Sequence, residues 1–184
     1  MAAALPTDAA APPGWGPQAL AMLRAAQAVA HPGGPTLFDD LVGELAATLG
    51  AATVFVAVFA DESRSHMRTL AVRLDGRALQ NFDYPLAGSP CAQVAGRAYR
   101  YVATGVAAEF APGTIFGAKG MDCYAAFPLT AGTGEPLGLL VAMDRRPLAD
   151  AALAEALLKI FAGRMAAEIE RSRADAALRA AALA

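Results

Sequence analysis

The sequence predicts a single α+β domain, and three stretches carry that prediction. Cys123 to Met143 reads as a β-hairpin: one apolar run ends in Phe127-Pro128-Leu129, another opens on Pro136-Leu137-Gly138, and the glycines of Ala131-Gly132-Thr133-Gly134 between them can take φ > 0. Thr53 to Phe59 is an unbroken run of β formers, suited to a central strand buried on both faces. From Asp150 onward Leu153, Leu157, Phe161, Met165 and Ile169 recur at helical spacing, with charge taking over between Glu168 and Arg179.

The remaining elements follow from local chemistry. Residues 1–16, rich in Ala and Pro with no basic start and no compact apolar block, read as a disordered tail and not as a secretory signal. Pro17 to Ala30 has helix-forming composition with proline at a first helical position, and His31-Pro32-Gly33-Gly34-Pro35 stops it. Thr36 with Asp39 resembles a capping box, and Leu37, Leu41, Leu45 and Leu49 mark one apolar face before Gly50. Asp61 to Ser65 supplies a turn into a second strand, His66 to Leu74, which ends at Asp75-Gly76. Gly88-Ser89-Pro90 reads as a helix start, Ser89 as N-cap, with two turns before Gly96. Tyr99 to Ala103 is a further strand, and Thr104 to Gly120 reads as a lid-like loop holding a short helix. A final helix of about 30 residues would span roughly 45 Å, more than one domain needs.

Composition narrows the function classes. At 184 residues the chain suits one domain with a sizeable core. No stretch reaches the roughly 18 consecutive strongly apolar residues of a membrane span, and the expected address is cytoplasmic. With 15 basic and 17 acidic residues spread along the chain, no basic stripe marks a nucleic-acid partner. Two cysteines and two histidines supply neither a disulfide framework nor paired zinc-ligand spacing. No Gly-x-Ser-x-Gly elbow, P-loop or metal-binding helix is present, and Gly132, Gly134 and Gly138 have hairpin spacing, not that of a dinucleotide loop.

The hairpin, with a proline closing one strand and a hydrophobic-Gly pair opening the next, resembles the last two strands of a GAF domain. Tyr84-Pro85-Leu86-Ala87-Gly88-Ser89-Pro90-Cys91 resembles the segment leading into the short pocket helix of many bacterial GAF domains, and the resemblance covers about Leu37 to Arg171. It implies a GAF-like (PAS/profilin-like) six-stranded antiparallel sheet, terminal helices on one face, and a pocket with a lid on the other. The expected division is a tail over 1–16, the domain over 17–171 and the end of a signalling helix over 172–184. The resemblance further implies a sensory or regulatory module without catalysis of its own. Such domains often precede histidine kinase, diguanylate cyclase or PAS modules, which points to a downstream signalling effector.

Departures from the family's patterns narrow the ligand. The Asn-Lys-Phe-Asp-Glu signature of cyclic-nucleotide GAF domains is missing, since neither Lys119 nor Lys159 is followed by Phe. The Cys-His pair that anchors a bilin is missing too: Ala92 follows Cys91 and Tyr124 follows Cys123. Haem would need an axial ligand such as His66, which sits beside a polar turn and reads better as an exposed histidine. The cofactor is left unknown.

Seven residues are expected at the ligand pocket: Cys91, Tyr101, Phe110, Phe116, Met121, Cys123 and Tyr124. An apolar wall with a few hydroxyls suits a small, partly apolar ligand, and the same residues would equally fill a closed core. Cys91 near a helix N-terminus would have a lowered thiol pKa, whereas packing as a small hydrophobe is the commoner fate of a free cysteine. Cys123 shares a period-two face with Met121, Ala125 and Phe127, as core or as pocket wall. The two thiols raise one enzyme alternative, a free methionine-(R)-sulfoxide reductase using Cys123 and Cys91, although that family's acidic, Ala and Ser rich stretch does not follow Cys123. Glu168, Glu170, Arg171, Arg173, Asp175 and Arg179 suit the flanks of a helical pair, so a parallel homodimer through the terminal helices is expected. A dimerisation module with a filled pocket is the rival.

Overall fold

The computed structural model describes residues 16–110 and 114–183. The tail expected over residues 1–16 lies outside them, except for Gly16, the residue before the first helix. Helices α1 (Pro17–Ala30), α2 (Leu37–Leu49), α3 (Ile115–Ala118) and α4 (Ala151–Ala182) accompany strands β1 (Thr53–Phe59), β2 (His66–Leu74), β3 (Arg77–Ala78), β4 (Asp83–Pro85), β5 (Arg100–Val102), β6 (Cys123–Thr130) and β7 (Pro136–Asp144). Single 3-10 turns stand at Pro90–Gln93 and Val106–Glu109.

The sheet is antiparallel, in the order β3-β2-β1-β7-β6-β5, with β4 paired to β2 beside β3. The α+β fold is as expected, with six strands along the path and β4 as a seventh. The short strands escape period-two reading because two or three residues carry no periodicity. Asp75 (φ 48°) and Gly76 (φ 76°) make the tight turn from β2 to β3, the Asp-Gly chemistry of a two-residue hairpin loop.

Alternation along the central strands sorts the core into two layers. Val54 and Val56 of β1, Cys123 and Ala125 of β6, and Leu140 and Ala142 of β7 face α1, α2 and α4. Phe55 and Ala57, Tyr124 and Ala126, and Leu139, Val141 and Met143 face the opposite side. The face proposed for Cys123 is therefore corrected at one position: Ala125 and Phe127 share it, but Met121 precedes the strand and packs in the opposite layer.

On the helical side Leu37, Leu41 and Leu45 of α2 are buried, and Gly50 (φ 62°) closes the helix in the left-handed region. The expected capping box does not form. The Thr36 hydroxyl donates to Asp40 Oδ2 at 2.8 Å instead of accepting from the helix backbone. Helix α4 is capped by Asp150, whose Oδ1 accepts from the Leu153 N–H at 2.9 Å. It buries Leu157, Leu158, Phe161, Met165 and Ile169 against the sheet. Residues 171–174 are exposed, and Leu178 and Leu183 beyond them are 69% and 90% exposed. Glu168 is buried near the α1–α2 connection, paired with Arg164 at 3.2 Å and with Arg171. Arg164 in turn donates to Val29 O at 3.2 Å, fastening the end of α1 to α4.

Candidate functional site

A cavity of about 420 Å³ opens on the face of the sheet away from the long helices. Its floor is set by alternation: Phe55 from β1, Tyr124 from β6 and Met143 from β7 project to the same side. One wall is β4 and the connection after it, from Tyr84 to Cys91, and the cover includes Phe110, Thr114 and Phe116. Residues 111–113, within the covering segment, lie outside the described residues.

Aromatic rings dominate the site. Phe55 and Phe116 stack with centroids 5.2 Å apart and planes 4° apart. Tyr84 meets Phe55 edge to face at 6.2 Å, and Phe82 lies 6.1 Å from Phe116. The polar content of the deep end is a three-group cluster. The hydroxyls of Tyr84 and Tyr124 both donate to Cys91 Sγ, at 3.6 and 3.5 Å.

The environment of Cys91 differs from the sequence expectation. Pro90–Gln93 is one 3-10 turn, not two turns of α-helix, and the Ser89 hydroxyl donates to Leu86 O at 2.7 Å instead of capping. Burial pushes the thiol pKa up and outweighs the hydrogen bonds from Tyr124 and Tyr84 that favour the thiolate. Burial also raises both phenols, with proximity to Cys91 adding to it. All three groups are neutral at physiological pH, which fits Cys91 packed as a small hydrophobe and not an activated thiolate.

The covering segment is fastened at both ends. Arg100 of β5 makes a bidentate pair with Glu109, 2.8 and 2.6 Å, and Gln93 Nε2 donates to the same carboxylate at 3.3 Å. The Arg100 guanidinium holds the Glu109 carboxyl below the usual carboxylate range, and it lies 6.0 Å from the Tyr124 ring centroid. At the other end Arg145 Nε donates to Lys119 O at 3.2 Å while its other nitrogens pair with Asp75, each at 2.9 Å.

Of the seven expected pocket residues, the structure brings Cys91, Phe110, Phe116 and Tyr124 to the cavity. Met121 packs in the same layer without lining it. Tyr101 and Cys123 are corrected: both belong to the layer beneath the helices, because period two sends Cys123 away from the side that Tyr124 takes. The two cysteines thus lie in opposite layers, so the paired-thiol arrangement of a sulfoxide reductase is not assembled. His66 opens β2 with its side chain exposed, its Nδ1 2.9 Å from Ser65 Oγ and 3.3 Å from Asp61 Oδ2, and it does not line the cavity. Sequence reasoning missed Phe55, Phe82, Tyr84 and Met143. The alternation of β1 and β7 was a usable signal for Phe55 and Met143; Phe82 and Tyr84 reach the site through β4. Among the described residues no group of acidic, cysteine or histidine side chains is placed to hold a metal ion, and no helix is long and apolar enough to cross a membrane.

The antiparallel sheet thus carries long helices on one face and a covered apolar cavity on the other. The GAF domain family model matches residues 35–169, and the chain belongs to that family, whose members are sensory and regulatory domains of signalling proteins. Among solved structures it is similar to the GAF domain of a phosphoenolpyruvate-protein phosphotransferase from Coxiella burnetii, at 20% identity and TM-score 0.65, covering 87% of this chain and 96% of that one. The corresponding Acinetobacter domain gives 14% identity and TM-score 0.66, covering 84% and 92%. A domain of a putative two-component sensor histidine kinase from Sinorhizobium meliloti 1021 gives 19% identity and TM-score 0.57, covering 81% and 99%. No curated protein matches the sequence.

Proposed function

We propose that this chain is a small-molecule-responsive GAF module, without catalysis of its own, that dimerises through its terminal helices and passes a signal to an effector. The observation that carries the reading is the covered cavity of about 420 Å³, a volume within the range of small-ligand sites. Strand β6 supplies a route for the signal. Tyr124 faces the cavity, while Cys123 and Ala125 on either side pack in the layer that holds α4, so displacement of this strand by a ligand is felt by the helix one residue away.

Dimerisation rests on α4. Its buried face ends at Ile169, yet the helix continues to Ala182, with Leu178 on it and Leu183 just past its end in the open. A second α4, alongside α1, would cover these leucines and place Arg173, Asp175 and Arg179 on the flanks of the pair. Related domains occur in a phosphotransferase and a putative sensor histidine kinase, and an effector of that signalling kind is part of the proposal, as is a cytoplasmic address for a chain whose cysteines are free thiols.

Native mass spectrometry of freshly purified chain tests the reading. A dimer carrying one discrete extra mass per chain is the expected result. A clean apo dimer that no small molecule stabilises thermally would favour a pure dimerisation role, and a monomer at micromolar concentration would overturn the helix-pairing part.

A further inference from the structure

Resting on the reading of the cavity as a ligand site, we propose that its occupant is an uncharged, flat aromatic molecule bearing a hydrogen-bond donor, as in an indole or a phenol.

Flatness follows from the walls. Phe55 and Phe116 stack on each other and are buried, and the rings left partly open on the cavity are those of Phe82, Tyr84 and Phe110. A planar π-system gains offset-stacked and edge contacts against such rings that a branched aliphatic of equal volume does not. Two of the rings are stacked on each other instead of being arranged around a void, which is not the cage geometry that recognises an alkylammonium.

Neutrality follows from what is missing around them. The described lining holds no Lys, Arg, His, Asp or Glu. Arg100, whose guanidinium lies 6.0 Å from the Tyr124 ring centroid, is engaged by both carboxylate oxygens of Glu109, at 2.8 and 2.6 Å. A carboxylate or phosphate entering the cavity would lose its hydration with no counter-charge in return, and so would an ammonium.

The donor follows from the hydroxyl directions. Tyr84 and Tyr124 both spend their protons on Cys91 Sγ. Each phenol oxygen keeps its lone pairs, and the Cys91 S–H can donate to at most one of them. Tyr124 is fully buried, so half-buried Tyr84 is the phenol whose oxygen a ligand N–H or O–H reaches from the cavity. Half-buried Thr114 accepts from the Gly117 N–H at 3.3 Å, leaving its proton for a second, weaker polar contact.

The test is calorimetric titration of the whole chain with four probes: indole, N-methylindole, indole-3-carboxylate and tryptamine. Indole is expected to bind, N-methylindole about tenfold more weakly for the loss of one hydrogen bond, and both charged probes at least about 100-fold more weakly. In Tyr84→Phe, a change on a short outer strand, the indole preference over N-methylindole should shrink to about twofold. Equal binding of indole and N-methylindole by the wild type, or a charged probe binding as well as indole, overturns the assigned class and leaves the sensor reading standing. Binding of none of the four, alongside a retained mass of another class in native spectra, does the same. Binding of none with no retained mass overturns both.

Discussion

Gly138 on β7 lies against the backbone of Val58 on β1, so closely that a Cβ at position 138 would stand 2.8 Å from the Val58 Cα and nearer still to the Ala57 carbonyl oxygen. The two positions are register partners in the central antiparallel pair, next to the irregularity between Val56 and Ala57. Backbone, unlike the tip of a side chain, cannot step aside. Gly138→Ala is expected to cost at least the roughly 3 kcal/mol upper end of ordinary overpacking, read as a lower urea midpoint with an unchanged m-value.

Phe116 joins the cover to the floor by its stack on Phe55. Phe116→Ala should enlarge the cavity and destabilise by about 3 kcal/mol, the low end for a buried Phe, because the covering segment can partly relax. Thermal unfolding gives the stability change, and a dye that binds exposed apolar surface should brighten in the folded variant. No change in either would show that the stack contributes little.

Cys91 should be inert in the native state. Its raised thiol pKa and burial predict no alkylation by iodoacetamide at pH 8 while folded, and full alkylation in denaturant. The same shift sets an alkaline limit. Where the folded pKa lies above the unfolded one, the unfolded chain loses its proton first, so the stability contribution is complete below about pH 8.5 and declines as pH rises above it. Tyr84 and Tyr124, also raised, extend the decline to higher pH. A urea midpoint rising between pH 8 and pH 10 would contradict this.

Glu168 has the opposite sign. Hydrogen bonds from Arg171, then Arg164, hold its carboxyl below the usual range against the opposing effect of burial. Its contribution is present above about pH 4.3 and is lost as pH falls through the lower folded value. Glu168→Gln should cost about 2 kcal/mol at pH 7, the scale of a buried charge-assisted hydrogen bond, and flatten the acid limb of the stability profile. An unchanged acid limb would assign that limb to other carboxylates.

Breaking the Arg100–Glu109 pair tests the fastening of the cover. Both side chains are partly exposed, 22% and 29%, so Glu109→Ala should lower global stability by only about 1 kcal/mol. Hydrogen exchange should nevertheless accelerate in residues 105–110 while the β1 and β7 amides stay protected. Uniform acceleration across the sheet would instead assign the pair a global structural role.

Much of the fold was legible in the sequence because local periodicity is strong where the elements are long. The leucines of α2, the apolar run of β1 and the β6–β7 hairpin each obey one period and have the expected place. The family resemblance added the two-faced sheet with its pocket and made Tyr84 to Cys91 the segment leading into the pocket helix, while the lid was legible in the glycines and proline of Thr104 to Gly120. Reading failed at short or boundary elements. Met121 precedes β6, so period two does not govern it, and one 3-10 turn at Pro90–Gln93 gives Cys91 neither the dipole nor the exposure that a longer helix would provide.

By itself the sequence determined the long strands and helices and which residues within each share a face. Only the tertiary structure decided which face met the helices and which met the cover. Period two separates Cys123 from Tyr124 but is indifferent to which side each takes, and that choice belongs to contacts far apart in the chain. The pairing of β4 with β2 brings Tyr84 over Phe55, and the turn after it sets Cys91 between two phenols that arrive from different strands. No local preference encodes that meeting, because its free energy comes from burying groups that are neighbours only once the sheet has formed.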